Sequence, residues 1–161
     1  MTLVAPVSSQ VDELTARAAV LVNVAKFVEW TTNEPPADGG FVIAVSADAG
    51  FVEALTGLTR GARLHDRDVH VRRVGSANER CACQVLFVSA GDGGRAAALL
   101  RTVRSNGVLT IGETPAFLRE GGMVRIYRED NRLRLQVSVK SAEGSGLQIS
   151  SRLLSLASRA Q

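Results

Sequence analysis

Apolar residues recur at steps of three and four near the start of the sequence, which predicts a buried amphipathic helix running to Trp30. The first row of this pattern is Val11, Leu14, Ala18, Leu21, Ala25 and Val28, and the second is Val20, Val24 and Phe27. Ser9 and Asp12 predict a capping box at the start of the helix, and Pro35-Pro36 close the segment that follows it.

The most apolar part of this helix, Ala18 to Trp30, is neither a membrane span nor a signal sequence. Asn23, Lys26 and Glu29 interrupt it, whereas a span needs about 20 apolar residues. A signal peptide has a basic start and small residues after its apolar run, but bulky Trp30 follows here. The segment is therefore predicted to belong to a folded core.

Two continuous apolar runs later in the sequence predict central parallel strands that helices cover on both faces. These runs are "FVIAVS" (Phe41 to Ser46) and "QVLFVS" (Gln84 to Ser89). Between them we expect a helix over Phe51 to Leu58. An alternating strand containing Val69 and Val71 follows that helix, and we expect it at the edge of the sheet.

A second helix, "RAAALLRTVRSNG", and a buried strand, "VLTIG", come next in the sequence. The order β-α-β-β-α-β predicts an α/β three-layer sandwich with a mostly parallel, flavodoxin- or Rossmann-like sheet and helices on both faces. "MVRIY" and "RLRLQVSV" flank Arg128 to Asn131, which predicts an appended C-terminal β-hairpin. A last helix is expected from Ser151 to Arg159, capped by Ser150.

Composition limits the number of domains and the classes of partner. The 161 residues are 45% hydrophobic, enough for one substantial core, so we expect a single domain over 1–161 with residues 1–8 disordered. The formal net charge is only +3, and the basic residues are spread along the chain. Binding to nucleic acid is therefore not indicated.

"SAGDGGR" (Ser89 to Arg95) follows a strand and opens a helix, a place where α/β proteins bind anions. It lacks the Lys-Ser/Thr pair of a P-loop and the GxGxxG spacing, so an ordinary turn is favoured. A receiver domain would need an aspartate at the end of the middle strand, where Val88-Ser89-Ala90 stand. Asp92 lies too far into the loop.

The sequence contains no convincing catalytic or metal-binding group. "HDRDVH" (His65 to His70) holds both histidines but offers no clear third ligand, so a metal is disfavoured. There is no GxSxG elbow, and neither histidine lies at the carboxyl end of a strand. Glu113 is the best-placed carboxylate, and a role at a helix N-terminus is favoured over acid-base work. We therefore expect no enzymatic activity, cofactor or metal.

Cys81 and Cys83 are the two cysteines of the sequence. A bridge across one residue would be strained, so we predict free thiols, or pairing between chains, with Cys83 as a buried thiol.

Six segments in this order and spacing resemble the YfiR family, small periplasmic proteins that restrain a membrane-bound diguanylate cyclase. They are "NVAKFVEW", "FVIAVSAD", "DVHVRRV", "CQVLFVS", "VLTIGETPAFLREGGMVRIY" and "GLQISSRLLSLA". Gly121-Gly122-Met123 and "ISSRLL" are the most specific. The sequence departs from the family at Ser138, often Asn, and at Gln84, often His. Ala44 stands where some members carry a cysteine that pairs with the equivalent of Cys83.

The resemblance implies a periplasmic protein whose leader has been removed, often a homodimer, without catalysis or membrane insertion. It implies a partner, the periplasmic domain of an inner-membrane diguanylate cyclase, and a role in cyclic di-GMP signalling and biofilm regulation. The alternative is a small-ligand or nucleotide binding module, or an enzyme, on a flavodoxin-like sheet. Fold alone does not separate the two.

The resemblance also indicates a surface for protein partners or small ligands. Its residues here are Glu29, Trp30, Gln148, Ser150 and Arg152. A lone tryptophan at the end of a buried helix can equally be core, and Arg152 can be a solvated helix position.

Overall fold

The computed structural model of the protein describes residues 7–31, 40–75, 82–103 and 107–159. Its helices are α1 (Val7–Lys26), α2 (Ala49–Thr59), α3 (Ala96–Val103), α4 (Val139–Gly144) and α5 (Ser151–Leu156), with a 3₁₀ helix at Ala90–Arg95. Its strands are β1 (Val28–Trp30), β2 (Phe41–Ser46), β3 (Arg63–Leu64), β4 (Arg67–Arg73), β5 (Val85–Val88), β6 (Leu109–Gly112), β7 (Val124–Glu129), β8 (Arg132–Val137), β9 (Leu147–Ile149) and β10 (Ser158–Arg159).

Eight strands form one mixed sheet in the order β10-β8-β7-β6-β5-β2-β4-β3. The five strands from β4 to β7 in this order run parallel, as buried strands joined by helical crossovers do. The β7–β8 hairpin extends the sheet antiparallel, and β10 adds to β8 in parallel. The predicted α/β fold, a mostly parallel sheet with an appended hairpin, is confirmed.

The sheet divides the apolar interior into two layers. Phe41, Ile43 and Val45 of β2 point into a core that includes residues of α1 and α2. Ala44, on the opposite face of β2, belongs to a second core built largely with α3. This period-two alternation on a strand buried on both sides places helices on both faces, as predicted.

Two tight turns depend on residues in the left-handed backbone region. Asp130 and Asn131, which join β7 to β8, have φ values of 52° and 61°. His65 and Asp66, which join β3 to β4, have φ values of 51° and 63°. Asn and Asp tolerate this region, and two such residues make the primed turns that suit two-residue hairpins.

The first helix is shorter at its C-terminus than its apolar period predicts. The amide of Phe27 donates to the carbonyls of Asn23 and Val24, which ends α1. Val28 to Trp30 instead form β1, which pairs with β9. Periodicity could not separate the two structures because Val28, 0% exposed, is an inward position of either one.

The predicted capping box is also wrong, because α1 begins at Val7 and Ser9 lies within it. A capping serine needs non-helical backbone, which its spacing to Asp12 does not guarantee. Pro35-Pro36 and residues 1–6 lie outside the described part of the chain. Val7 and Ser8, expected to be disordered, are helical.

Three further boundaries differ from the sequence-based expectations. β4 is not the outermost strand, because the two-residue β3 pairs with its free side. The last helix ends at Leu156, and Ser158–Arg159 form β10. The short elements α4 and β9 were not predicted, since a few residues are too short for either period to show.

Cys83 is disulfide-bonded, so the prediction of a free thiol at this position is wrong. Consecutive Cα atoms are about 3.8 Å apart, and a bent Cys-x-Cys segment can therefore fall within the roughly 4.4–6.8 Å that disulfides span. A spacing of one residue therefore does not exclude a disulfide. Cys81 lies outside the described residues.

Among the described helices, none has both the length and the apolar character needed to cross a bilayer.

Candidate functional site

Two strands far apart in the sequence build the surface that carries most of the predicted site residues. β1 and β9 pair antiparallel, with Val28 opposite Ile149 and Glu29 opposite Gln148. The amide of Ser150 donates to the carbonyl of Phe27 at 2.9 Å and continues the pairing. Together with α5 these strands form a cavity of about 420 Å³, here called the terminal groove. Its lining is Lys26, Phe27, Glu29, Gln148, Ile149, Ser150, Ser151 and Leu154.

Strand alternation places the polar side chains of the paired strands β1 and β9 outward. Val28 and Ile149 face the core, so their neighbours Glu29 and Gln148 are exposed and lie side by side. Three of the five predicted residues, Glu29, Gln148 and Ser150, therefore meet in one groove. Apolar Phe27 and Leu154 complete it.

Ser150 holds the first turn of α5, as its predicted capping role requires. Its hydroxyl oxygen accepts a hydrogen bond from the amide of Arg152 at 3.1 Å. Arg152 is exposed beside the groove without lining it. Its guanidinium has no hydrogen-bond or ion-pair partner within the described residues. Leu156, one helical turn later, is 75% exposed.

Trp30 does not line the terminal groove. Alternation along β1 turns it to the face opposite Glu29, where its indole Nε1 donates to the carbonyl of Gly107 at 2.6 Å. Its ring meets Phe41 and His65 edge-on, at centroid distances of 5.5 Å and 5.3 Å. These contacts match the interpretation of Trp30 as a residue at the border of the core.

Sequence reasoning missed five groove residues, which are Lys26, Phe27, Ile149, Ser151 and Leu154. The sequence pattern placed Lys26 and Phe27 inside a helix that continued to Trp30. No feature of the sequence therefore indicated that they lie beside α5. The alternation of Val28, Glu29 and Trp30 spans only three residues, which is too short to signal a strand in the sequence.

A second concavity lies at the carboxyl ends of β2, β5 and β6, the usual ligand position in open α/β sheets. Its volume is about 490 Å³, and it is called the crevice below. The residues lining it are Glu13, Arg17, Asp48, Ser89, Ala90, Gly91, Asp92, Glu113, Arg125, Ile126, Tyr127, Arg128 and Leu133.

Glu113 is fixed at one side of the crevice by three hydrogen bonds. Arg17 of α1 donates from Nε at 2.7 Å and from Nη2 at 2.5 Å to its two carboxylate oxygens. The amide of Ala90 donates to Oε1 at 3.0 Å, at the start of the 3₁₀ helix. Glu113 thus acts at a helix N-terminus, and the bidentate pair ties α1 to the sheet.

Asp92 is held in a similar way. The hydroxyl of Ser46, at the end of β2, donates to Asp92 Oδ2 at 2.7 Å. Arg95 lies 3.7 Å from the same oxygen. The "SAGDGGR" turn is therefore ordered by its own side chains.

The two histidines lie apart from both concavities. His65 Nε2 is 3.0 Å from the carbonyl oxygen of Ala25, and His70 is exposed on β4. No group of three or more His, Cys, Asp or Glu side chains that could hold a metal occurs in the described residues.

This architecture, with its mostly parallel sheet, its added hairpin and the β1–β9 pair, defines an α/β domain. It resembles the ABC domain from Streptococcus pneumonia solved in complex with L-Trp, with a TM-score of 0.56 and 13% identity over 78% of this chain. It also resembles a conserved domain protein from Vibrio cholerae O1 biovar El Tor, with a TM-score of 0.60 and 10% identity over 92% of this chain. The chain spans 57% and 60% of these two structures. At such identities the likeness concerns the fold alone.

The YfiR/HmsC-like family model matches residues 15–158, and the chain belongs to this family. The resemblance drawn from the sequence motifs is confirmed. Its members are periplasmic regulators connected with diguanylate cyclases, and the family is regulatory and not catalytic. The comparison with curated sequences found no significant match.

Proposed function

We propose that this protein binds and represses a membrane-bound diguanylate cyclase from the periplasm and thereby lowers cyclic di-GMP signalling. The observation that carries the proposal is the family match, which runs from residue 15 to residue 158 and includes both strands of the terminal groove. The protein's role in this proposal is to bind, and the cyclase supplies the chemistry.

The terminal groove and the exposed face of α5 have the character of an interface. Protein interfaces favour arginine and large apolar anchors surrounded by energetically neutral polar contacts. Arg152 offers a guanidinium that has no partner among the described residues, and Leu156 offers an exposed apolar side chain. Glu29 and Gln148 provide a polar rim. We propose that the cyclase contacts this surface. Trp30 would support the paired strands β1 and β9 from their inner face. A homodimer, common in the family, is part of the proposal.

The test is the affinity of the whole protein for the isolated periplasmic domain of a membrane-bound diguanylate cyclase from the same organism. Arg152→Ala should weaken binding by about 1–2 kcal/mol, as truncation of an interface anchor does, without changing the thermal stability. Leu156→Ser should also weaken it. Arg132→Ala, which removes an exposed arginine from β8, is the matched control and should bind normally.

Deletion of the gene should raise cellular cyclic di-GMP, and restoring it should reverse the rise. Wild-type protein that does not bind the cyclase domain, together with unchanged cyclic di-GMP, would contradict the proposal. That result would favour the second candidate, a small-ligand binding module, for which the 490 Å³ crevice at the strand ends is the supporting observation.

A further inference from the structure

The crevice contains three arginines, and their partners differ. Arg17 is neutralised by Glu113, as described above. Arg128 Nη2 lies 3.1 Å from Glu13 Oε1 and forms a second ion pair with α1. Both guanidinium groups therefore already have a carboxylate.

Arg125 has no carboxylate partner within the described residues. Its Nη1 donates to the amide oxygen of Gln136 at 3.1 Å, and its guanidinium carbon lies 4.6 Å from the centre of the Tyr127 ring. Its Nε is buried without a hydrogen-bond partner. Nε itself is enclosed, so an anion in the crevice would meet the outer part of the guanidinium group, whose charge no carboxylate of the described residues offsets.

Ser89 offers a second donor at the end of the central strand β5. The residue lines the crevice, and its hydroxyl does not cap the following 3₁₀ helix. The crevice thus presents two donors, one charged and one neutral.

The charges around these donors restrict the anion. Four carboxylates, from Glu13, Asp48, Asp92 and Glu113, line the crevice together with the three arginines. Glu113 and Glu13 are already paired with Arg17 and Arg128, so Arg125 is the charge left for a ligand, and it can balance a single carboxylate but not a doubly charged phosphate. A planar guanidinium also matches a carboxylate through two parallel hydrogen bonds.

We propose that the crevice binds a small organic molecule through a single carboxylate group, held by Arg125 and Ser89. Ile126 and Leu133 provide apolar surface for its body, and the volume of about 490 Å³ is that of a typical small-molecule pocket. The ligand contacts α1, the loop after β5 and the β7–β8 hairpin. The proposal concerns a site separate from the terminal groove and does not depend on cyclase binding.

Three matched probes test the site by calorimetric titration of the full chain: leucine, 2-hydroxy-4-methylpentanoate and 4-methylpentanoate. They share one carboxylate and one apolar body, and they distinguish a zwitterion, a hydroxy acid and a plain acid as the source of the carboxylate. At least one should bind. Inorganic phosphate should bind more weakly than the best of them.

Arg125→Met should weaken the binding of that probe about 10- to 100-fold, because a hydrogen-bonded charge is lost. Ser89→Ala should weaken it less. Arg132→Met, outside the crevice, should bind it as the wild type does. Circular dichroism and thermal melting establish that each variant is folded, and Ser89→Ala carries the test if Arg125→Met does not fold.

The proposal is overturned if all three acids fail to bind at millimolar concentration, or if phosphate binds more tightly than any of them. Unchanged affinity in the folded Arg125→Met and Ser89→Ala variants would overturn it as well. None of these outcomes bears on cyclase binding, which is measured separately.

Discussion

Phe117 is enclosed by two glycines, and adding one methyl group at either should destabilise the fold. Phe117 is 0% exposed in the core under α3. A Cβ atom at Gly112 would lie 2.6 Å from Cε1 of its ring and closer still to two other ring atoms. A Cβ atom at Gly122 would lie 2.9 Å from Cζ and closer to two more atoms, on the opposite edge.

The size of the effect follows from the space available. Carbon atoms in contact prefer a separation of about 3.5–4.0 Å, so the ring would have to move by roughly 1 Å. Movement away from Gly112 is limited by Gly122 and by the surrounding buried side chains. Overpacking of this kind costs about 1–3 kcal/mol, and we expect Gly112→Ala to reach the upper end. For a chain of this length, the melting temperature should fall by roughly 6–12 °C.

Urea unfolding followed by far-UV circular dichroism measures the loss. The matched control is Gly57→Ala on the exposed side of α2, where an added Cβ meets nothing within 4 Å. This change should stabilise the protein by about 0.5–1 kcal/mol, since alanine favours the helix. Gly112→Ala that is as stable as the wild type would refute the reasoning.

A double variant tests the mechanism directly. Phe117→Ala removes the whole ring and by itself costs stability through a cavity. Combined with Gly112→Ala it also removes the clash, so the double variant should be more stable than the sum of the two single losses predicts. Simple additivity would show that the glycine serves another purpose.

Four other outcomes are expected. Glu113→Gln should cost about 1.5–3 kcal/mol in urea unfolding because hydrogen bonds between charged groups are lost, and unchanged stability would show that the Arg17 tie is unimportant. Leu153→Ala, at a site 2% exposed, should cost about 2–5 kcal/mol and should reduce cyclase binding only in proportion to unfolding, so weaker binding by fully folded protein would argue against a purely structural role. Native tryptophan fluorescence should be blue-shifted because Trp30 is half-buried, and an emission maximum like that of free tryptophan in water would contradict its placement. Thiol titration of the denatured, unreduced protein should find Cys83 unreactive, and labelling at Cys83 would contradict the disulfide.

The parts of the fold that the sequence predicted are those with long, clear patterns. β2 and β5 are continuous apolar runs, and only strands covered on both faces have that composition. β1, β9 and β10 have two or three residues each, too few for alternation to be recognised. Val28 is an inward position in both the helical and the strand pattern. Its pairing with Ile149, far away in the sequence, makes it part of a strand.

The site was less accessible to sequence reasoning than the fold. The convergence of Glu29, Gln148 and Ser150 was indicated by family resemblance, since no spacing rule relates residues so distant. Arg125 lacks a carboxylate partner among the described residues because the nearby carboxylates pair with Arg17 and Arg128. Such pairing depends on side-chain positions, which the sequence does not show. The glycine motif, the most specific sequence feature, is explained by packing around Phe117 instead of by binding.

The pairing of β1 with β9 also has a consequence for when the proposed binding surface can exist. Thr31 and Gly146, bonded at the end of this ribbon, are 115 residues apart in the sequence. Closing so long a loop is slow and entropically costly, so the ribbon should form late in folding. A partly translocated or C-terminally clipped chain would retain much of the parallel sheet but lack one wall of the groove. The groove would thus be available only on finished molecules, and incomplete ones would lack the surface that we propose for cyclase binding.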